Sequence, residues 1–186
     1  MHDLEQRAVD RVSPRYVIDG AASRVVVRAR SNIHDTETRW MGLSGAIDAD
    51  ADALVAGSAA AEVAAEVAVD MTRHDAGDFL RNRKLRKDLE VERFREARFR
   101  LDRLRDVVAR GGGSFAAAAE GAIAWHGREV AVTAAGEGAF AGDELRASAR
   151  FELDVRGFGV EPPRFLMFRV EDVVAVEVVL VARRRG

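Results

Sequence analysis

Apolar and polar residues alternate with a period of two along most of this chain. In residues 24–31, RVVVRARS, Val25, Val27, Ala29 and Ser31 share one face, opposite Arg24, Val26, Arg28 and Arg30. Residues 59–71 set Val63, Ala65, Val67 and Val69 against Glu62, Glu66 and Asp70. Successive side chains of a strand point to opposite faces, so this pattern predicts a sheet with one wet face. Residues 97–102 place Phe99 and Leu101 against Arg98 and Arg100, and the phase then slips at Leu104, as a β-bulge makes it do. Residues 114–125 put Phe115, Ala117, Ala119, Ile123 and Trp125 together, and residues 144–154 alternate Leu145, Ala147, Ala149, Phe151 and Leu153 with Arg146, Ser148, Arg150 and Glu152. The last run, 173–182, is apolar on both faces: if Val174, Val176 and Val178 point inward, Val173, Val179 and Val181 point out. That second face calls for a cover, either an N-terminal segment or a second copy in a homodimer.

Turn signals separate these runs at DADAD (48–52), RGGGS (110–114), WHGRE (125–129) and FAGDE (140–144). Strands joined by loops of hairpin length predict an antiparallel meander. Long one-sided strands with few helices hide their apolar faces against one another, and closure into an up-and-down barrel of about eight strands achieves this without exposed edges. The expected fold class is therefore all-β, with one short helix within the 78–92 crossover. In that crossover Leu85 and Leu89 share one side, Leu80, Val91 and Phe94 fall elsewhere, and basic residues surround the segment. A chain of 186 residues fits one domain, read as residues 15–186 behind an N-terminal extension of residues 1–14.

Composition narrows the function. The formal charge is -2 and the pI near 6.1, so no global basic field gathers phosphates. The crossover holds Arg81, Arg83, Lys84, Arg86 and Lys87, including both lysines of the chain, but Glu90, Glu92 and Glu96 dilute it, and no nucleic-acid partner is expected. Without cysteine there is neither a disulfide framework nor thiolate chemistry. The first fifteen residues carry charges throughout and have no apolar h-region, and no apolar run is long enough to span a bilayer. A cytoplasmic protein without stable membrane insertion is the expectation.

No catalytic constellation stands out. His74, Asp75 and Asp78 in HDAGD fall short of a zinc ligand set, and Asp78 is placed to N-cap the following helix. His34 and His126 read as solvated turn residues. GLSGA around Ser44 lies in strand patterning and does not match a nucleophile elbow, and GGGS at 111–114 lacks the lysine and helix of a phosphate loop. The carboxylates scatter over wet positions. No enzyme activity, metal or cofactor is implied. The inward face, by contrast, mixes Phe99, Leu101, Phe115, Ile123 and Phe151 with Ala117, Ala119, Gly121, Ala147 and Ala149. Small residues on adjoining strands leave an apolar tunnel suited to a hydrocarbon chain, unless they pack against helix or loop side chains or reflect base composition alone.

The order of motifs resembles the YceI-like family of lipocalin-like lipid-binding barrels. The family's Tyr-x-Ile-Asp start is matched by Tyr16, Val17, Ile18 and Asp19, and its Gly-containing second segment by Gly42 and Gly45. The crossover is similar at Arg81, Asn82 and Leu85, followed by Phe94, Arg95 and Phe99. The later hairpin is similar at Gly121, Ile123 and Gly127, with Val130 and Val132 after it, and the final turn at Gly157, Phe158 and Gly159. Departures occur at Ala22-Ser23 for His-Ser, Arg95 for Pro, and His126-Gly127 for Arg-Gly. The resemblance implies a barrel that encloses a polyisoprenoid or similar amphiphile, with the charged crossover as family architecture and possible gate. It implies contacts of an isoprenoid-like lipid or quinone with Val67, Phe99, Leu101, Phe115, Ala117, Ala119, Ile123, Ala147, Ala149, Phe151 and Phe158, and of its pyrophosphate or quinone head with Arg81 and Arg83. The alternative is a filled barrel that acts through its surface as a protein-interaction or stress-related accessory module.

Overall fold

The structure, a computed structural model, describes residues 14–161, 164–165 and 168–185; of the expected N-terminal extension only Pro14 is among them. The elements are β1 (Arg15–Ile18), β2 (Arg24–Ala29), β3 (Thr36–Trp40), β4 (Leu43–Ala49), α1 (Ala51–Val55), β5 (Val63–Asp70), β6 (His74–Asp75) and α2 (Phe79–Asp88). There follow β7 (Glu96–Gly111), β8 (Ser114–Trp125), β9 (Arg128–Ala141), β10 (Glu144–Asp154), a 3-10 turn (Val155–Phe158), β11 (Arg164–Phe165), β12 (Phe168–Arg169) and β13 (Val173–Arg184). Among the described residues, eight antiparallel strands close a barrel in the order β1-β4-β5-β7-β8-β9-β10-β13, with β13 returning to β1. The expected all-β barrel is the fold observed.

The seam lies along β13. Its C-terminal part pairs with β1 (Ala182 with Ile18), whereas its earlier part pairs with β2 (Val178 with Val25, Val176 with Val27). From β2 the sheet continues to β3 and β6. Where β13 passes from one partner to the other, the buried Ser23 hydroxyl accepts from the Val181 N–H at 3.0 Å and lies 3.3 Å from the Val181 carbonyl, to which it donates. A side chain thus stands in for a missing ladder partner. Ser23→Ala would leave a buried donor unpaired, and we expect a loss of about 1–3 kcal/mol in chemical denaturation.

Hairpin geometry follows the turn signals. The β7–β8 and β8–β9 hairpins turn through Gly112-Gly113 and His126-Gly127, each pair with positive φ at both positions, as the tight turn that matches strand twist requires. The register between β7 and β8 shifts between Leu101 and Arg103, next to the slip expected at Leu104, and β7 runs on to Gly111. The DADAD stretch departs from the expected turn. Asp48 and Ala49 complete β4, and the Asp50 carboxylate accepts from the Ala53 N–H at 3.1 Å to cap α1, which drives Leu54 into the core.

Two buried clusters divide the interior. The α1 end holds Tyr16, Ile47, Leu54, Phe115 and Leu145, with the Phe140 ring 5.5 Å from Tyr16 and 5.9 Å from Phe115. The α2 end holds Trp40, Met71, Val91, Trp125, Phe158 and Val160. Outside, charges pair across strands, as Arg28 does with Glu37 and Glu177, and Arg103 and Arg105 with Glu120. Such exposed pairs contribute little each and serve mainly solubility. No helix among the described residues is long and apolar enough to cross a membrane.

Candidate functional site

Between the two clusters lies a cavity of about 410 Å³ with an almost wholly apolar wall. Inward-pointing residues of the strands line it at every second position, and Leu85 of α2 and its C-cap Leu89 border it at one end. Backbone close approach explains why large aromatics leave it open. Phe99 lies over Gly121, where a Cβ would sit 2.7 Å from the ring, and Phe115 lies over Gly138, where it would sit 2.5 Å away. Glycine beneath each ring lets it rest flat on the wall. Ala117, Ala119, Ala147 and Ala149 extend the same thin wall.

Of the residues singled out from sequence, Val67, Phe99, Leu101, Phe115, Ala117, Ala119, Ile123, Ala147, Ala149, Phe151 and Phe158 line this cavity together. Arg81 and Arg83 are outside the lining. Arg83 lies two residues from Leu85, on the opposite side of the helix, and the Arg81 guanidinium turns back to Asp78 at 3.3 Å. The two arginines expected to meet a head at the mouth thus stand outside the cavity wall, because leucines hold the inner face of α2. Sequence reading also missed β3, which turns Thr36, Thr38 and Trp40 inward. Its alternation with Glu37 and Arg39 was present, but threonines at inner positions hid it.

Helix α2 has no fully buried residue and is held by ring nitrogens at its rim. His126 donates from Nε2 to the Leu89 carbonyl at 3.0 Å and stacks on Phe94 with centroids 3.9 Å apart, so it is an anchor and not the solvated turn residue expected. Trp125 donates from Nε1 to the Phe94 carbonyl at 3.1 Å. The His74 nitrogens lie 3.0 and 3.2 Å from the Met71 and Asn82 carbonyls; a neutral ring donates to one, an imidazolium to both. Asp78 caps the helix as expected, accepting from the Arg81 N–H at 2.9 Å. Trp40 differs from Trp125: its Nε1–H is buried with no hydrogen-bond partner among the described residues.

At the same rim Asp70 orders the turn into β6. It accepts from the Thr72 hydroxyl at 2.6 Å and from the Thr72 N–H at 3.0 Å. These bonds, with smaller contributions from Arg73 and Arg95, hold its carboxyl below the ordinary value of 3.8. A lowered folded-state pKa stabilises the fold above the unfolded value and loses that contribution as pH falls through the folded one. Melting temperature should drop on acidification below about pH 4, less steeply in Asp70→Asn; equal slopes would remove Asp70 from the account. Among the described residues no group of three His, Cys, Asp or Glu is placed to hold a metal.

A family model described as the YceI-like domain matches residues 16–182. Among solved structures, a polyisoprenoid binding domain from Saccharophagus degradans implicated in plant cell wall breakdown superposes with a TM-score of 0.69 at 14% identity, over 91% of this chain and 98% of that one. BcnA from Burkholderia cenocepacia superposes with a TM-score of 0.69 at 21% identity, over 88% and 98%. The Campylobacter jejuni YCEI protein does so with a TM-score of 0.58 at 10% identity, over 80% and 84%. At these identities the likeness is one of fold. No curated protein matches the chain.

Proposed function

The chain belongs to the YceI-like family, and on that premise we propose that it binds, carries or sequesters an isoprenoid-like amphiphile without catalysing a reaction. The observation that carries this reading is the cavity itself: about 410 Å³, apolar, and kept open by glycine beneath aromatic rings. That volume falls within the range of small-molecule sites, about 300–1,000 Å³. A hydrocarbon tail along Phe99, Phe115, Ile123 and Phe151 gains about 0.8 kcal/mol for each methylene buried. In this reading the head lies at the α2 end, where the buried Trp40 N–H, without a hydrogen-bond partner among the described residues, offers a donor to a quinone or hydroxyl oxygen.

Native mass spectrometry of the purified protein, with solvent extraction, tests the reading. A stoichiometric adduct that extracts as a prenyl lipid or quinone is the expected result. An apoprotein that also refuses added prenyl lipids would sink it and favour the filled-barrel interaction module. The same spectrum reads subunit number, and a homodimer through the last strand, where Val173 stays 41% exposed, would register as doubled mass.

A further inference from the structure

The outer face of α2 has no part in the cavity. Its ten residues carry five basic side chains and one acidic one, Asp88, and hold both lysines of the chain. Arg83 and Lys87 have no ion pair among the described residues, while Arg81, Lys84 and Arg86 pair with Asp78, Asp88 and Glu92. Beside this basic face the helix begins with Phe79 and Leu80, exposed at 75% and 73%. Two adjacent large apolar side chains in water next to cations are the combination that an interfacial helix buries at the headgroup and acyl boundary. The opposite face supplies Leu85, and the C-cap Leu89, to the cavity wall, so the helix lies between the cavity and whatever meets its outer side.

We propose that the outer face of α2 is a docking surface for an anionic phospholipid bilayer, with Phe79 and Leu80 entering the interface and Arg83 and Lys87 facing the headgroups. Charge complementarity selects the bilayer's anionic lipid, and each basic residue at such a surface raises partitioning on the order of five-fold. Docking sets the cover of the cavity against the membrane. The inference goes beyond the carrier reading, and the two fail separately.

Flotation of the full chain tests it with vesicles of phosphatidylcholine alone and of phosphatidylcholine mixed with phosphatidylglycerol. Binding is expected to the mixed vesicles, with release between about 0.1 M and 1 M salt as the Debye length contracts from about 10 to about 3 Å. Phe79→Ser with Leu80→Ser, and independently Arg83→Gln with Lys87→Gln, should each cut binding by about ten-fold or more. Both pairs are exposed, so the melting temperature and the uptake of a short prenyl alcohol from lipid-free buffer should stay as in the unchanged chain. No binding to mixed vesicles, binding undiminished in both double variants, or equal binding to a short DNA duplex would overturn the proposal. Retained prenyl uptake alongside any of these would leave the carrier reading standing.

Discussion

Ala149→Phe abolishes ligand uptake while the barrel stays folded: that is the expected outcome of placing one ring in the middle of the cavity. Ala149 points inward between Gly136 of β9 and Val178 of β13, so the added ring enters empty space and forces little backbone movement. Filling a void adds apolar burial, and stability should hold or rise by about 0.5–2 kcal/mol. The ligand, however, loses the volume that the ring takes. If four methylenes are excluded at about 0.8 kcal/mol each, binding weakens by about 3 kcal/mol, more than 100-fold. Titration of a fluorescent prenyl probe, read beside thermal melting, separates the two effects. A variant that melts normally and binds as before would show that the cavity is not where the lipid lies.

Phe158→Ala should destabilise the chain more than any surface change. Phe158 is 2% exposed, meets Trp125 edge-on with centroids 5.7 Å apart, and packs in the cluster of Trp40, Met71, Val91 and Val160. Removing a buried phenylalanine costs about 3–5 kcal/mol, because the surroundings only partly collapse into the space. For a chain of this size that corresponds to a drop in melting temperature of roughly 6–20 °C. A loss below about 1 kcal/mol would mean that the α2 end is loosely packed and that its two tryptophans are not held as described. Because Phe158 also lines the cavity, Val91→Ala, fully buried in the same cluster but outside the cavity lining, serves as a control.

The barrel was readable where alternation ran unbroken between glycine turns. Strands β8 and β10 fall on the residues expected, 114–125 and 144–154. Reading failed where a local feature broke or masked the period. The further shifts between Arg105 and Val108 and between Ala109 and Gly111 concealed the far end of β7, threonines concealed β3, and the cap on α1 depends on a carboxylate aimed at a particular N–H. Many of the cavity-lining residues were readable because an inward set of alanines and aromatics follows from the strand phase, whereas Phe158, on the 3-10 turn, came only with the family resemblance. What that phase does not carry is the role of the α2 arginines: it says nothing of which way a helix turns once it is laid across a barrel end. Leu85 and Leu89 already shared one side in the sequence, and only packing against the rim decided that this side faces in.

The chain has two tryptophans, Trp40 and Trp125, and both border the cavity. All its indole emission therefore originates at the cavity wall, and the protein carries a built-in optical reporter of occupancy that needs no label. A quinone held at the α2 end would quench both fluorophores, whereas a prenyl alcohol, without a redox-active head, would shift their emission without quenching it. The intrinsic spectrum thus distinguishes a redox-active head from an inert one in a single cuvette.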